Sequence, residues 1–569
     1  MTNQKFTLNE NGLFFSNQQS DDGLGTQIAG PFEILGKART KDGQSWGKLL
    51  KWFDPDGRLH WMMVADARLH ADPSSLCGEM AALGLHIAPN KKTMFQNFLG
   101  NCQTDKRVTI VESSGWHSIN GKWAFALPTE SITTDSNETI IFERASKASY
   151  EKGGSLIGWK NGIGNLSDSQ NLLVVAISTA LSGPLLKLAN MDGGGINLHG
   201  SSSIGKTTAL QAAASVWGKG SNQGYVKGWR ATANGLEGEA SNACDTCLVL
   251  DELGLIEPKE LSAALYALSN GTGKQRADRN GDAKAVKKWR VAILSSGEVP
   301  IDTKLQEDRS IKARAGQLIR ILDVPADRGL GLGIFDHHKN YSNPSTLSAK
   351  IKEEAIQNYG WAGPEFARQL LVRNYEESYI RNKIYDFVKV NTRNKADGQV
   401  IRAAERFGLI ALAGELAIDF GLVPWEKGMS NNSAKCAFDT WIAQRGGYEP
   451  RESTQIVATL RLFIERYGES RFDNPNDLDA KKAHNRAGYT KGHGSDQVWL
   501  IFPETFRSEI FKGFDLGFTC KILHDKGILE KETGSHTKVA KVAGHAMRFY
   551  MINTGIFETE KMSVEDLPF

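Results

Sequence analysis

The chain has 569 residues, enough for several domains. Its 40% hydrophobic and 23% charged residues are the balance of an ordinary soluble globular protein. A net charge of +3 excludes any argument for nucleic-acid binding from global charge, so local clusters must carry it.

In chain order, Met1 to Asn11 is polar and has no apolar run of the signal-peptide kind, which fits a cytoplasmic protein with no membrane partner. Residues 1–150 read as a β-rich N-terminal domain. Two apolar-alternating runs flank Asp54-Pro55-Asp56-Gly57, and two more flank Asn120-Gly121, which predicts two hairpins. Nothing in this stretch has a catalytic pattern. Residues 151–335 alternate apolar strands with helices, an α/β pattern. The most apolar stretch, Asn171 to Ala189, is interrupted by Ser182, Gly183, Pro184 and Lys187, and predicts a buried helix rather than a membrane span.

Ile196 to His199 predicts a short strand. It runs into Gly200-Ser201-Ser202-Ser203-Ile204-Gly205-Lys206-Thr207-Thr208, which opens a helix over Ala209 to Trp217. This G-x-x-x-x-G-K-T in strand-loop-helix order is a P-loop. Its glycines let backbone N–H groups curl around phosphate oxygens, and the helix N-terminus adds its dipole. Lys206 is expected to bridge the β- and γ-phosphates of ATP, and the Thr207 hydroxyl to ligate Mg²⁺.

Leu248 to Glu252 is an apolar strand ending in two acids. Asp251 is expected to hold Mg²⁺, and Glu252 to polarise the attacking water. An acid pair of this kind points to AAA+ and related oligomeric ATPases, and no guanine-reading Asn-Lys-x-Asp occurs. The preceding Cys244 and Cys247 have C-x-x-C spacing, but no second pair or His pair completes a metal site. They read as small residues entering a buried strand. With only Cys77, Cys102, Cys436 and Cys520 besides, cysteine use fits a reducing cytosol.

A later strand, Arg290 to Leu294, ends at Ser295-Ser296, either of which is a candidate for sensing the γ-phosphate. Ahead of it, Lys274, Arg276, Arg279, Lys284, Lys287 and Lys288 surround Asn280-Gly281, the strongest short hairpin signal. Such a basic hairpin either grips nucleic-acid phosphates without reading sequence or is a solvated surface element. Residues 336–484 read as a helical lid region, with a helix over Arg402 to Phe420. Arg471 to Gly494 is polar and reads as a linker or mobile loop. Residues 485–569 read as a further domain, in which about 495–556 alternate a strand (Gln497 to Phe502), two helices (Pro503 to Lys512 and Leu516 to Lys526) and a final strand, Met547 to Asn553.

The chain resembles the family called domain of unknown function 927, P-loop proteins of phages, plasmids and genomic islands. The resemblance rests on Gly193 to His199 with the following loop, Gly228 to Glu237, Val249 to Leu253, Tyr266 to Arg276, Leu294 to Glu298, and Arg314 to Gln317 through Leu322 to Asp327. It runs from about residue 30 to about residue 510. The resemblance implies an MCM-like AAA+ replicative helicase of a mobile element, hexameric, with single-stranded DNA in a ring pore and ATP and Mg²⁺ at subunit interfaces. It implies a pre-sensor role for the basic hairpin, an arginine finger at Arg314 (with Arg309 and Arg320 as rivals), and a winged-helix-like C-terminal domain. In that domain Leu516 to Lys526 would be the recognition helix and Lys531 to Lys541 a basic wing; a plain packing domain is the other reading. Arg406 reads as a lid sensor or as an ordinary helix cation. A primase or initiator is a possible partner, and the N-terminal domain either organises subunits or touches DNA. Two other functions stay open: an ATP-gated initiator or scaffold without unwinding activity, and a defence-associated nucleic-acid-sensing ATPase.

Overall fold

The structure is a computed structural model and describes residues 5–16, 25–43, 45–134, 138–142, 149–274, 286–308, 319–393, 396–475, 482–542 and 544–557. The chain divides into two compact units, Met1–Asn391 with Ala403–Phe438, and Thr392–Arg402 with Asp439–Phe569.

The first unit begins with β-structure. A five-stranded sheet has the order Glu138–Phe142, Arg107–Val111, Glu33–Thr40, Gly47–Phe53, Leu59–Ala65. Its last two strands are the first expected hairpin. In the turn, Asp54 Oδ1 accepts from the amides of Asp56 at 3.0 Å and Arg58 at 2.8 Å. The second hairpin joins Gly115–Ile119 to Lys122–Ala126. Asn120 and Gly121 take φ of 51° and 78°, the two positive values a two-residue turn of matching twist needs. Helices Asp66–Ala71, Pro73–Ala82 and Lys92–Asn101 add Leu69, Leu76, Met80, Phe95 and Leu99 to a core with Leu50 and Trp52.

The centre of this unit is a parallel five-stranded sheet, the P-loop-like core. Its strands are β1 (Gly194–His199), β2 (Lys227–Gly228), β3 (Cys247–Asp251), β4 (Ala292–Gly297) and β5 (Ile321–Pro325), in spatial order β2-β3-β4-β1-β5. Every residue of β1, β3 and β4 is buried, as expected of a sheet covered on both faces. The apolar stretch at 171–189 forms two buried helices, Asn171–Leu181 and Gly183–Leu188, broken where Pro184 cannot continue the helix. Helix α1 (Lys206–Ala214) follows β1, and helix α2 (Pro344–Gln357) packs on α1. The helix expected over Arg402 to Phe420 spans Gly398–Asp419. Among the described residues no helix is long and apolar enough to cross a membrane.

The second unit holds a six-stranded sheet whose core includes Ile456, Leu460, Trp499, Phe506 and Leu523. Two sequence expectations need correction here. The polar segment Arg471 to Gly494 is not simply a linker: Phe472–Asp473 and Gly488–Lys491 are paired strands. Only Phe472 and Tyr489 carry their apolar contacts, against Phe463 and against Phe502 and Phe549, too few to give a legible pattern. Within Pro503 to Lys512 the regular element is a π-helical stretch, Thr505–Ile510. Helix Leu516–Asp525 is capped by Asp515, and Lys538–Val542 pairs antiparallel with His545–Asn553.

Candidate nucleotide-binding site

The P-loop owes its shape to three residues with positive φ: Gly200 (148°), Ser203 (64°) and Gly205 (97°). A β-carbon at Gly205 would stand 2.9 Å from Ile334 Cγ1, so only glycine lets the loop pass there. Gly200 N donates to Gly297 O at 3.2 Å, tying the loop to the end of β4. The Lys206 ammonium turns back over the loop and donates to Gly200 O at 2.7 Å and Ser201 O at 2.6 Å. Burial lowers its pKa, and Glu298 and Asp251 oppose that shift.

Asp251 ends β3 almost fully buried, 6% exposed. Thr207 Oγ1 donates to its Oδ2 at 3.2 Å; Glu252 N (3.0 Å) and Ser296 Oγ donate to its Oδ1. Glu252 has φ 62° and ψ 58°, a left-handed conformation rare for a side chain of this kind, and it is exposed. These groups line one cleft of about 1140 Å³. Ser202, Ser203, Ile204, Gly205, Lys206, Thr207 and Thr208 form its floor, with Asp251, Glu252, Ser296 and Glu298 at one side.

The opposite wall was not foreseen from sequence. It consists of Gly331, Leu332, Gly333 and Phe335 after β5, and Asn343, Pro344, Ser345, Ser348 and Lys352 at the start of α2. Ile334 N donates to Ile204 O at 2.9 Å, and the Thr208 and Ser348 hydroxyls meet at 2.6 Å. The available signal was the alternating Gly329-Leu330-Gly331-Leu332-Gly333, whose three glycines take φ of 70°, 71° and 63°.

Other candidates lie elsewhere. Ser295 is 0% exposed; it accepts from Trp229 Nε1 at 2.8 Å and donates to Asn197 Oδ1 at 2.9 Å, on the face of β4 opposite Ser296. Arg406 is no lid sensor over the cleft. Its guanidinium is buried against Asp192 O and Gly193 O, each at 3.0 Å, beside the start of β1. The P-loop leaves the far end of that six-residue strand, roughly 20 Å away at strand rise. Burial pushes the Arg406 pKa down to about 10. Arg320 also sits beside the start of β1, away from the cleft, where its carbonyl accepts from Gly195 N at 2.9 Å. Arg309 and Arg314 lie outside the described residues, as do Arg276, Arg279 and Lys284. Lys274, Lys287 and Lys288 are described: Thr272 and Lys288 form an antiparallel bridge, and Gly273 N donates to Lys287 O at 2.9 Å. The two arms of the expected basic hairpin therefore leave the core antiparallel.

A phosphate chain fits this floor, which offers backbone turns too tight for side chains, a helix N-terminus and an ammonium group. Thr207 and Asp251 are hard oxygen donors of the kind Mg²⁺ prefers. Among the described residues no group of three or more His, Cys, Asp or Glu could cage a metal unaided.

The model of the family described as "Domain of unknown function (DUF927)" matches residues 6–288. No curated protein sequence matches the chain. A solved structure titled "SCCmec type IV Cch - active helicase" superposes with TM-score 0.65 at 17% identity, over 96% of each chain. At that identity the likeness concerns the fold.

Proposed function

We propose that this chain, which belongs over residues 6–288 to the DUF927 family, is an ATP-hydrolysing motor on nucleic acid. The specific reading is a helicase or translocase of the AAA+ kind that serves replication of a mobile genetic element. It would act as a hexamer with ATP between subunits.

One observation carries the hydrolytic half: Lys206, the Thr207–Asp251–Ser296 cluster and Glu252 meet at a single cleft. In this reading the P-loop amides and Lys206 bind the phosphates, while Thr207 and Asp251 hold Mg²⁺. Bound Mg²⁺ supplies charge neutralisation on the phosphate oxygens. Ser296 keeps the Asp251 carboxylate oriented. Glu252, held outward by its backbone, accepts the proton of the attacking water. Arg314 from a neighbouring subunit is the proposed source of transition-state charge compensation.

Support for the motor half comes from the antiparallel bridge between Thr272 and Lys288; in this reading Lys274, Lys287 and Lys288 stand at the root of a basic hairpin ahead of β4. The fold likeness to a protein titled as an active helicase adds to it.

ATPase assays of the full chain with and without single-stranded DNA test the proposal. Lys206→Ala should abolish ATP binding. Glu252→Gln should keep binding and lose turnover by roughly 10²–10⁴-fold, the usual weight of a general base. DNA should stimulate the wild-type rate. Wild-type turnover in Glu252→Gln would contradict the assigned base, and a DNA-indifferent rate would contradict the motor.

A further inference from the structure

The N-terminal sheet carries a second basic surface. Lys37 stands in register with Lys48 on one neighbouring strand and with Arg107 on the other. In-register neighbours share a face, and like charges set opposite each other cost stability. Lys48 is relieved by Asp66 at 3.6 Å, and the nearby Arg39 by Glu138 at 2.9 Å. Lys37 and Arg107 are exposed and form no ion pair among the described residues.

The cations converge on an aromatic ring. Lys37 Nζ, Arg39 Cζ and Arg107 Cζ lie 5.3, 5.5 and 5.6 Å from the centre of the Trp46 indole. Cation–π attraction holds the indole among them, yet it remains 39% exposed. Of the three cations around this solvent-reachable ring, Arg39 is paired with Glu138, while Lys37 and Arg107 have no acid partner among the described residues.

We propose that this patch binds single-stranded nucleic acid, with phosphates on Lys37 and Arg107 and a base against Trp46. A polyanion relieves the repulsion along the row. The ring selects a ligand with flat faces, which a nucleobase has and an acidic peptide lacks. The site depends on neither the ATP chemistry nor the hairpin arms at Thr272 and Lys288, and it assigns the N-terminal domain a role.

The test is equilibrium binding of labelled oligo-dT to the full chain without ATP, across a salt series. Lys37→Gln with Arg107→Gln should weaken binding and flatten the log–log salt slope by about 1.4, at about 0.7 per lost phosphate contact on a single strand. Trp46→Ala should weaken binding about tenfold, and Trp46→Phe should retain most of it. The double charge variant should melt close to wild type, because the lost repulsion and the lost cation–π contacts with Trp46 oppose each other, so lost binding is not lost folding. Lys287→Gln with Lys288→Gln runs alongside. If only that pair loses oligo-dT, the patch is overturned and the hairpin reading stands; if only the patch variants lose it, the reverse holds. Competition by polyglutamate equal to that by oligo-dT, with Trp46→Ala unaffected, overturns the proposal in favour of an acidic protein partner.

Discussion

Glu252 combines a proposed chemical role with a backbone cost. Its left-handed φ of 62° turns the carboxylate out of the sheet line that buries Asp251. A non-glycine residue in this conformation carries of order 1 kcal/mol of strain. Glu252→Gly should therefore be more stable than Glu252→Ala by about 1 kcal/mol, although both lose the proposed base. Thermal or urea unfolding of the two variants checks this, and an Ala variant as stable as the Gly variant would contradict it. Residue identity was legible at the P-loop because each chemical requirement there is local. Which serine of β4 faces the cleft was not legible. The strand is buried on both faces, so no polar alternation marks its sides, and only the structure separates Ser296 from Ser295. Arg406 failed for a different reason: helical periodicity does not say which carbonyls a buried guanidinium will meet.

At the scale of elements, the hairpin Gly115–Ala126 is joined to the P-loop-like core by an unanticipated carboxylate. Asp245 accepts from Trp116 N at 3.0 Å and from Arg290 Nε at 2.8 Å and Nη2 at 2.7 Å. Cys244 and Cys247 flank it, both buried, with the Cys244 thiol pushed up to about 12 mainly by burial. On the same hairpin, His117 is buried, with Nε2 2.9 Å from Ser113 O and Nδ1 without a hydrogen-bond partner. Burial chiefly, helped by Lys41 and opposed by the Ser113 bond, lowers its pKa from 6.5 to about 4. The unfolded chain therefore binds more protons than the folded one between these values. The stability of the neutral imidazole is fully present above pH 6.5 and is lost as pH falls toward 4. The loss amounts to roughly 3 kcal/mol at about 1.4 kcal/mol per pKa unit. His117→Gln should flatten the pH dependence of unfolding in that window; an unchanged profile would contradict the assignment. The cleft wall at 331–352 escaped sequence reading because it reaches the P-loop from far along the chain, and nearness in space leaves no local periodicity.

At the scale of the molecule, the alternation of apolar strands and helices made the α/β core readable, and turn chemistry made both N-terminal hairpins readable. The strands within 471–494 were hidden by a solvated outer face, and the basic row around Trp46 by the need to know sheet register. The account that joins these parts is a motor in which ATP turnover at Lys206, Asp251 and Glu252 drives movement along a nucleic-acid strand. Strand displacement on a forked DNA duplex by the full chain tests it most directly. The account predicts ATP-dependent separation of the strands that Glu252→Gln abolishes while still binding ATP and DNA. Wild-type protein that binds both and hydrolyses ATP, yet leaves the duplex intact and does not move along it, would contradict the motor.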